Sequence, residues 1–279
     1  MKTITKVLIS VASVTLALSA SAGVKDSKHN LGTTNLDVTM NRTSAGTGEV
    51  CVFCHTPHGA NLQVAAPLWN KSVPLANSFT SYASSTIDGG TAAVGSVSIA
   101  CLSCHDGSQA MDVMINQPGS GGYDANGAAL GSTWVEGTGS VGSLTGGLLT
   151  GGIASLGKDL SNDHPVGIQY GGGGISTGVS TTTDPDFAAP QEASINSAAV
   201  WWVDVAAPVV NAIGTTGNAG TRDKTDMILY SRTDGLVPVA LGEPMVECAT
   251  CHDPHQSDTA TFLRIDNTGS AVCLACHVK

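Results

Sequence analysis

The 279 residues carry 12 basic and 22 acidic side chains, a net charge of −10, and only 12% charged and 4% aromatic residues. This acidity argues against nucleic acid as a partner, because binding there depends on neutralising phosphates. So few large side chains leave the polypeptide with a thin core, and something other than polypeptide must fill the interior.

In chain order, residues 1–22 read as an export leader. Lys2 and Lys6 precede an uncharged apolar run at 7–20, and Ala20-Ser21-Ala22 is an A-x-A cleavage site. Fourteen apolar residues fall short of the roughly 20 that a membrane-spanning helix needs. The first cysteine is Cys51, which argues against a lipid anchor on an N-terminal cysteine. The expectation is a mature chain that starts at Gly23, is exported to the extracellular space or cell surface (the periplasm being the alternative), and carries 10 basic against 22 acidic residues.

His29 lies just inside that mature end. The segment Cys51-Val52-Phe53-Cys54-His55-Thr56-Pro57-His58 follows, then a stretch at 60–85 broken by Pro67 and Pro74, which reads as loop with one short helix. Residues 93–100 are apolar and β-branched, so a short strand is predicted before Cys101-Leu102-Ser103-Cys104-His105. Residues 119–152 contain twelve glycines, which predicts surface loop or a loose hairpin. The G-x-G-x-x-G at 137–142 lacks the flanking strand and helix of a dinucleotide site and is set aside. His164 stands isolated in Asp163-His164-Pro165-Val166-Gly167. Short strands are predicted within 198–213, 227–230 and 236–241 before Cys248-Ala249-Thr250-Cys251-His252-Asp253-Pro254-His255 and Cys273-Leu274-Ala275-Cys276-His277.

Four C-x-x-C-H segments use all eight cysteines. In this pattern two thiols add to the vinyl groups of a haem and the following histidine ligates its iron. The attachment residues are then Cys51, Cys54, Cys101, Cys104, Cys248, Cys251, Cys273 and Cys276, the proximal ligands His55, His105, His252 and His277, and the cofactors four haem c. Zinc would account for the C-x2-C-x21-C-x2-C of the last two pairs. Neither zinc nor disulfides, the usual fate of exported cysteines, explains a histidine after every pair.

Eight histidines less four proximal ones leave His29, His58, His164 and His255, one distal ligand for each iron. Methionines 40, 111, 114, 227 and 245 compete for that role, and bis-histidine ligation in place of methionine predicts low potentials. Residues three apart in a tight turn project to one side. His58 therefore cannot serve the iron of His55, nor His255 that of His252, and each C-x-x-C-H-x-P-H should bridge two haems. The order of lone histidine, C-x-x-C-H-x-P-H and C-L-x-C-H occurs twice, which divides the chain into dihaem units at 23–160 and 161–279 that share one haem-centred body.

These features, with Gly48-Glu49-Val50 before the first motif, Gly59-Ala60-Asn61 after it, and Asp106-Gly107 after the second, resemble the filament-forming, OmcE-type extracellular tetrahaem c-type cytochromes. The resemblance spans nearly the whole mature chain. It implies a multihaem cytochrome c fold, mostly irregular coil wrapped around a haem stack with short helices at the haem motifs and a few short β-strands. It also implies bis-histidine ligation throughout, no enzymatic role, self-association into a nanowire, and one ligand crossing a subunit interface, for which His29 at a terminal segment is the expected donor. A soluble electron shuttle and a multihaem reductase are the alternatives.

Overall fold

A computed structural model describes residues 23–37, 39–119, 121–137, 142–164, 166–176, 182–206, 221–232 and 242–278, and the backbone of 209–210. The leader at 1–22, the centre of the G-x-G-x-x-G stretch and the strand expected at 236–241 lie outside the described residues. Most of the described chain is irregular, with small antiparallel sheets and short helices.

The largest sheet has five strands in the order β7 (Ile168–Gln169), β13 (Pro244–Val246), β12 (Met227–Ser231), β10 (Ala198–Val203), β9 (Gln191–Ile195). Here the sequence is densest in β-branched and aromatic residues, and Trp201 and Trp202 on β10 are both fully buried, so this strand is covered on both faces. Trp201 pairs with Leu229, and Trp202 with Ile228 and Gln191. The core beside it comprises Tyr170, Ile175, Trp201, Val203, Met227 and Leu229, and Cys251 and Cys276 pack against it. The strands expected within 198–213 and at 227–230 are thus found, as β10, β11 (Val209–Val210) and β12. β11 pairs with β8 (Ala188–Ala189).

The glycine-rich stretch is more ordered than its composition implies. β3 (Tyr123–Ala129) pairs with β2 (Val113–Asn116), β4 (Thr133–Val135) with β1 (Arg42–Ala45), and β5 (Ser143–Thr145) with β6 (Leu148–Gly151). Gly146 and Gly147 join β5 to β6 with φ of +58° and +81°, the pair of left-handed residues that a two-residue primed turn requires. A second core of Phe53, Met114, Leu144 and Leu149 forms under this hairpin, with Cys54 and Cys104 against it.

The strand expected at 93–100 is absent. The helix α1 (Ser98–His105) starts inside that segment. Ser98, Ile99, Leu102 and Ser103 are buried with helical spacing, and the amide of Ile99 bonds back to Gly95 O at 3.3 Å. The alternation of valines with small residues imitated a strand, but the helix of the motif wins because Ile99 and Leu102 both enter a third core with Val94 and Leu160. Residues 60–85 are loop with one 3-10 turn at Ala76–Ser78, as expected. No helix among the described residues is long and apolar enough to cross a membrane.

Candidate haem sites

Each C-x-x-C-H segment closes a single helical turn. His55 N–H donates to Cys51 O at 2.8 Å, His252 N–H to Cys248 O at 3.1 Å and His277 N–H to Cys273 O at 2.9 Å, while the second motif occupies the end of α1. The third motif carries α2 (Cys248–Cys251) and the fourth α3 (Ala271–Leu274). All eight cysteines are unbridged.

The first and third motifs share a wider architecture. Asn70 N–H donates to Cys54 O and Arg264 N–H to Cys251 O, both at 2.8 Å. Thr56 N–H reaches Leu68 O and Asp253 N–H reaches Phe262 O, again both at 2.8 Å. The returning segment is three residues nearer in the second copy, and Leu68 and Phe262 at its apex both have a positive φ, +56° and +60°.

That return orients the imidazoles. His55 Nδ1–H donates to Pro67 O at 2.8 Å, His105 Nδ1–H to Ala154 O at 2.7 Å and His252 Nδ1–H to Thr261 O at 2.7 Å. Each carbonyl selects the tautomer that leaves Nε2 bare for a metal. Burial, with His105 next, pushes His29 down to about 4, and burial also lowers His105, so both rings are neutral near pH 7.

Two of the predicted distal histidines stand opposite proximal ones. The ring centres of His55 and His255 are 6.0 Å apart, and those of His29 and His105 are 6.3 Å apart. Two metal–imidazole bonds of about 2.0–2.1 Å, with about 1.1 Å from nitrogen to ring centre, put trans imidazoles about 6.3 Å apart. Both separations therefore fit one metal between two rings. The interplanar angles of 17° and 81° are each compatible with this, since a ring can turn about its metal–nitrogen axis.

His255 thus faces the ring of the first motif. Asp253 Oδ1 lies 3.4 Å from its Nδ1. His29 is enclosed by its own chain, stacked on Phe262 at 4.2 Å and 9° and hydrogen-bonded to the backbone of Pro254. Within the single chain, His29 is therefore placed to serve the second motif. Its segment folds inward, because Asn30 and Asn35 anchor it through Lys25 O at 2.6 Å and Asn30 O at 2.9 Å.

His58 is exposed, and among the described residues its imidazole meets no ring or side-chain partner; its backbone carbonyl accepts from Asn116 and Thr56, and its N–H donates to the Thr56 hydroxyl. His252 is exposed too, and among the described residues no second imidazole stands opposite it. His164 is exposed, and the His277 ring packs on Phe187 at 4.4 Å.

The cysteines lie in series. Burial, then Cys104, pushes the Cys54 thiol up to about 12. Cys101 hydrogen-bonds Cys248, which raises Cys101 and draws Cys248 down to about 7. Burial, then Cys251, pushes Cys276 up to about 12. The four C-x-x-C-H segments therefore follow one another in chain order. Neutral thioethers suit the enclosed positions of Cys54, Cys101 and Cys276 better than thiolates. Trp69, edge-on to His55 at 6.0 Å, and Trp201, packed near Cys251 and Cys276, have buried indole N–H groups with no acceptor among the described residues, as a wall lining a site for a further group would.

Sequence reasoning missed the residues that support these rings. Asn70, Lys71 and Arg264 are buried behind the first and third motifs, and Ser98 and Glu247 tie the second to the third. No spacing rule marks them.

A family model described as the doubled CXXCH motif matches residues 238–279, and no curated protein matches the chain. The paired motif indicates a multihaem c-type cytochrome, with covalently bound haem c and electron transfer as its role.

Proposed function

We propose that this chain carries four covalently bound haems with bis-histidine ligation and works as one subunit of an extracellular electron-conducting filament. Each site, when loaded, supplies a ferric/ferrous one-electron couple, and the polypeptide sets ligation, spacing and dielectric. The serial contacts of the cysteines support a continuous run of sites from the first motif to the fourth.

The observation that carries the filament reading is the mismatch between the two repeats. The first repeat completes its leading site with a histidine of the second, His255 opposite His55. The second repeat has the same local fold around His252, yet no imidazole opposite it among the described residues, and the equivalent of His255, namely His58, faces no other ring among them, though both histidines are exposed. Applying the same relation once more makes His58 of a second copy the ligand opposite His252. A heterologous contact of this kind does not close on itself and generates a fibre. Exposed Leu62 and Leu68 beside His58 and exposed Leu274 in the fourth motif supply apolar surface towards the two ends of the run.

His58→Ala is the test. Electron microscopy of the unaltered protein is expected to show fibres with a regular subunit repeat, and the variant only monomers with one carbon-monoxide-binding site. Fibres from the variant, with four six-coordinate haems, would refute the assignment.

The open side of His252 also favours a second reading, a reductase that acts on a small oxyanion at that position. Carbon monoxide binding to the reduced, fully assembled native protein would support it.

A further inference from the structure

Among the described residues, two buried cations lack any carboxylate within ion-pair distance. Lys71 is 1% exposed, and its ammonium donates only to Met111 O at 2.7 Å and Val113 O at 2.8 Å. Arg264 is 6% exposed and donates through Nε to Ala249 O at 3.2 Å and Thr250 O at 3.1 Å, through Nη2 to Ala249 O at 2.9 Å, and through Nη1 to Lys224 O at 3.1 Å. Burying an ion costs several kcal/mol even after relaxation, and carbonyl dipoles offset that cost without neutralising the charge. The chain has only 12 basic residues, so enclosing two without a counter-ion calls for an electrical reason.

Their positions suggest one. Arg264 grips the carbonyls inside Cys248-Ala249-Thr250-Cys251 itself. At the equivalent place in the first repeat, neutral Asn70 grips Val52 O at 2.7 Å and reaches Cys54 O through its N–H at 2.8 Å, and the charge comes from the next residue, Lys71. The two repeats thus put a buried cation behind the second cysteine of their leading motif by different side chains. What they share is the charge. The second motif has a buried carboxylate instead, Asp106, held by Ser108 at 2.8 Å.

We infer that Lys71 and Arg264 are redox-tuning cations that raise the reduction potentials of the haems on Cys51/Cys54 and Cys248/Cys251. This inference rests on the electron-transfer reading above. Reduction adds one electron from an external donor to a ferric site and forms the ferrous state with no bond broken. A fixed positive charge in a low-dielectric wall stabilises the reduced form. Along the series the cations fall on alternate sites, first and third. The potentials then alternate, and because the pattern repeats with each unit, an electron gains no net drive in either direction along a fibre. Asp253 beside His255 pulls the first site the other way through its ligand, so the effect of Lys71 is read as a difference between variants that share Asp253.

The test is spectroelectrochemical titration of the haem-loaded chain with dithionite and ferricyanide, with the low-spin signals resolved by electron paramagnetic resonance. Lys71→Gln and Arg264→Gln are each expected to lower one potential and leave the other three unmoved, while Lys71→Arg and Arg264→Lys hold it. Four unmoved potentials in the Gln variants, four potentials that fall together, or an equal fall in the charge-conserving variants would overturn the inference. So would failure of both Gln variants to hold four haems, which would make the cations scaffold. An unaltered protein without haem would instead overturn the reading beneath it.

Discussion

Ser98→Ala measures how firmly the second and third attachment sites are held together. Ser98 is fully buried on α1; its hydroxyl donates to Glu247 Oε2 at 2.5 Å and accepts the Cys248 N–H at 2.9 Å. Glu247 is buried as well, with its other oxygen 3.8 Å from Arg232 Nη1, and Arg232 itself donates to Ala93 O at 2.6 Å. The change removes a hydrogen bond to a charged group, worth about 1.5–3 kcal/mol, and leaves the amide of Cys248 unsatisfied at about 1–3 kcal/mol. Alanine returns about 0.5 kcal/mol of helix propensity, so the net loss is about 2–5 kcal/mol. Urea unfolding of the haem-loaded chain, followed by far-ultraviolet circular dichroism, should show the midpoint fall by about 0.7–2.5 M for a slope near 2–3 kcal/mol/M. Glu247→Gln should be less than additive with it, because the two side chains share one bond. A fall below about 0.3 M with an unchanged slope would refute the view that this contact clamps the middle of the series.

Three further outcomes follow from the geometry. His29→Ala and His255→Ala should each open one site to carbon monoxide in dilute monomer, because both rings face their partners within the chain; variants that stay closed would mean that other residues ligate there. Phe262→Ala removes the ring stacked on His29, worth about 0.5–1.5 kcal/mol, and should raise the carbon monoxide affinity of the Cys101/Cys104 site by about 2–13-fold with the His55 site unchanged. Gly147→Ala needs a side chain at φ +81°, with its Cβ 2.5 Å from Trp134 Nε1; it should destabilise the chain by about 2–3 kcal/mol, read as a lower urea midpoint.

The sequence discloses whatever chemistry writes into short spacings. C-x-x-C-H has to be contiguous because two thiols and one imidazole meet a single porphyrin edge, so Cys51 to His55 and its three counterparts are legible at once. β10 and β12 are legible too, because Ala198–Val203 and Met227–Ser231 concentrate residues that fit a pleated, buried surface. The start of α1 is misread because β-branched Val97 and Ile99 are spaced as in a strand, and only the enclosure of Ile99 and Leu102 in one core decides for helix. Counting histidines matches ligands to sites but cannot pair them, since His255 meets His55 across two hundred residues of sequence. The same limit hides the inward turn of His29, which depends on Asn30 and Asn35, and the roles of Lys71 and Arg264, which no local pattern marks.

The apex residues of the two returning segments show what the repeated architecture is for. A side-chain-bearing residue in the left-handed region costs about 1–2 kcal/mol, and this chain accepts that at Leu68, Thr261 and Phe262 although glycine is its habitual choice elsewhere. The kink brings the carbonyls of Pro67 and Thr261 to 2.8 and 2.7 Å from the Nδ1 atoms of His55 and His252. Glycine would relieve the strain, but it would also free the apex to move and release the imidazole from its tautomer. At Phe262 it would remove the ring that holds His29 as well. Leu68 occupies the matching position, 54% exposed. Under the filament proposed above, a second copy that covers this solvent-facing aliphatic kink would play the part that His29 plays at Phe262.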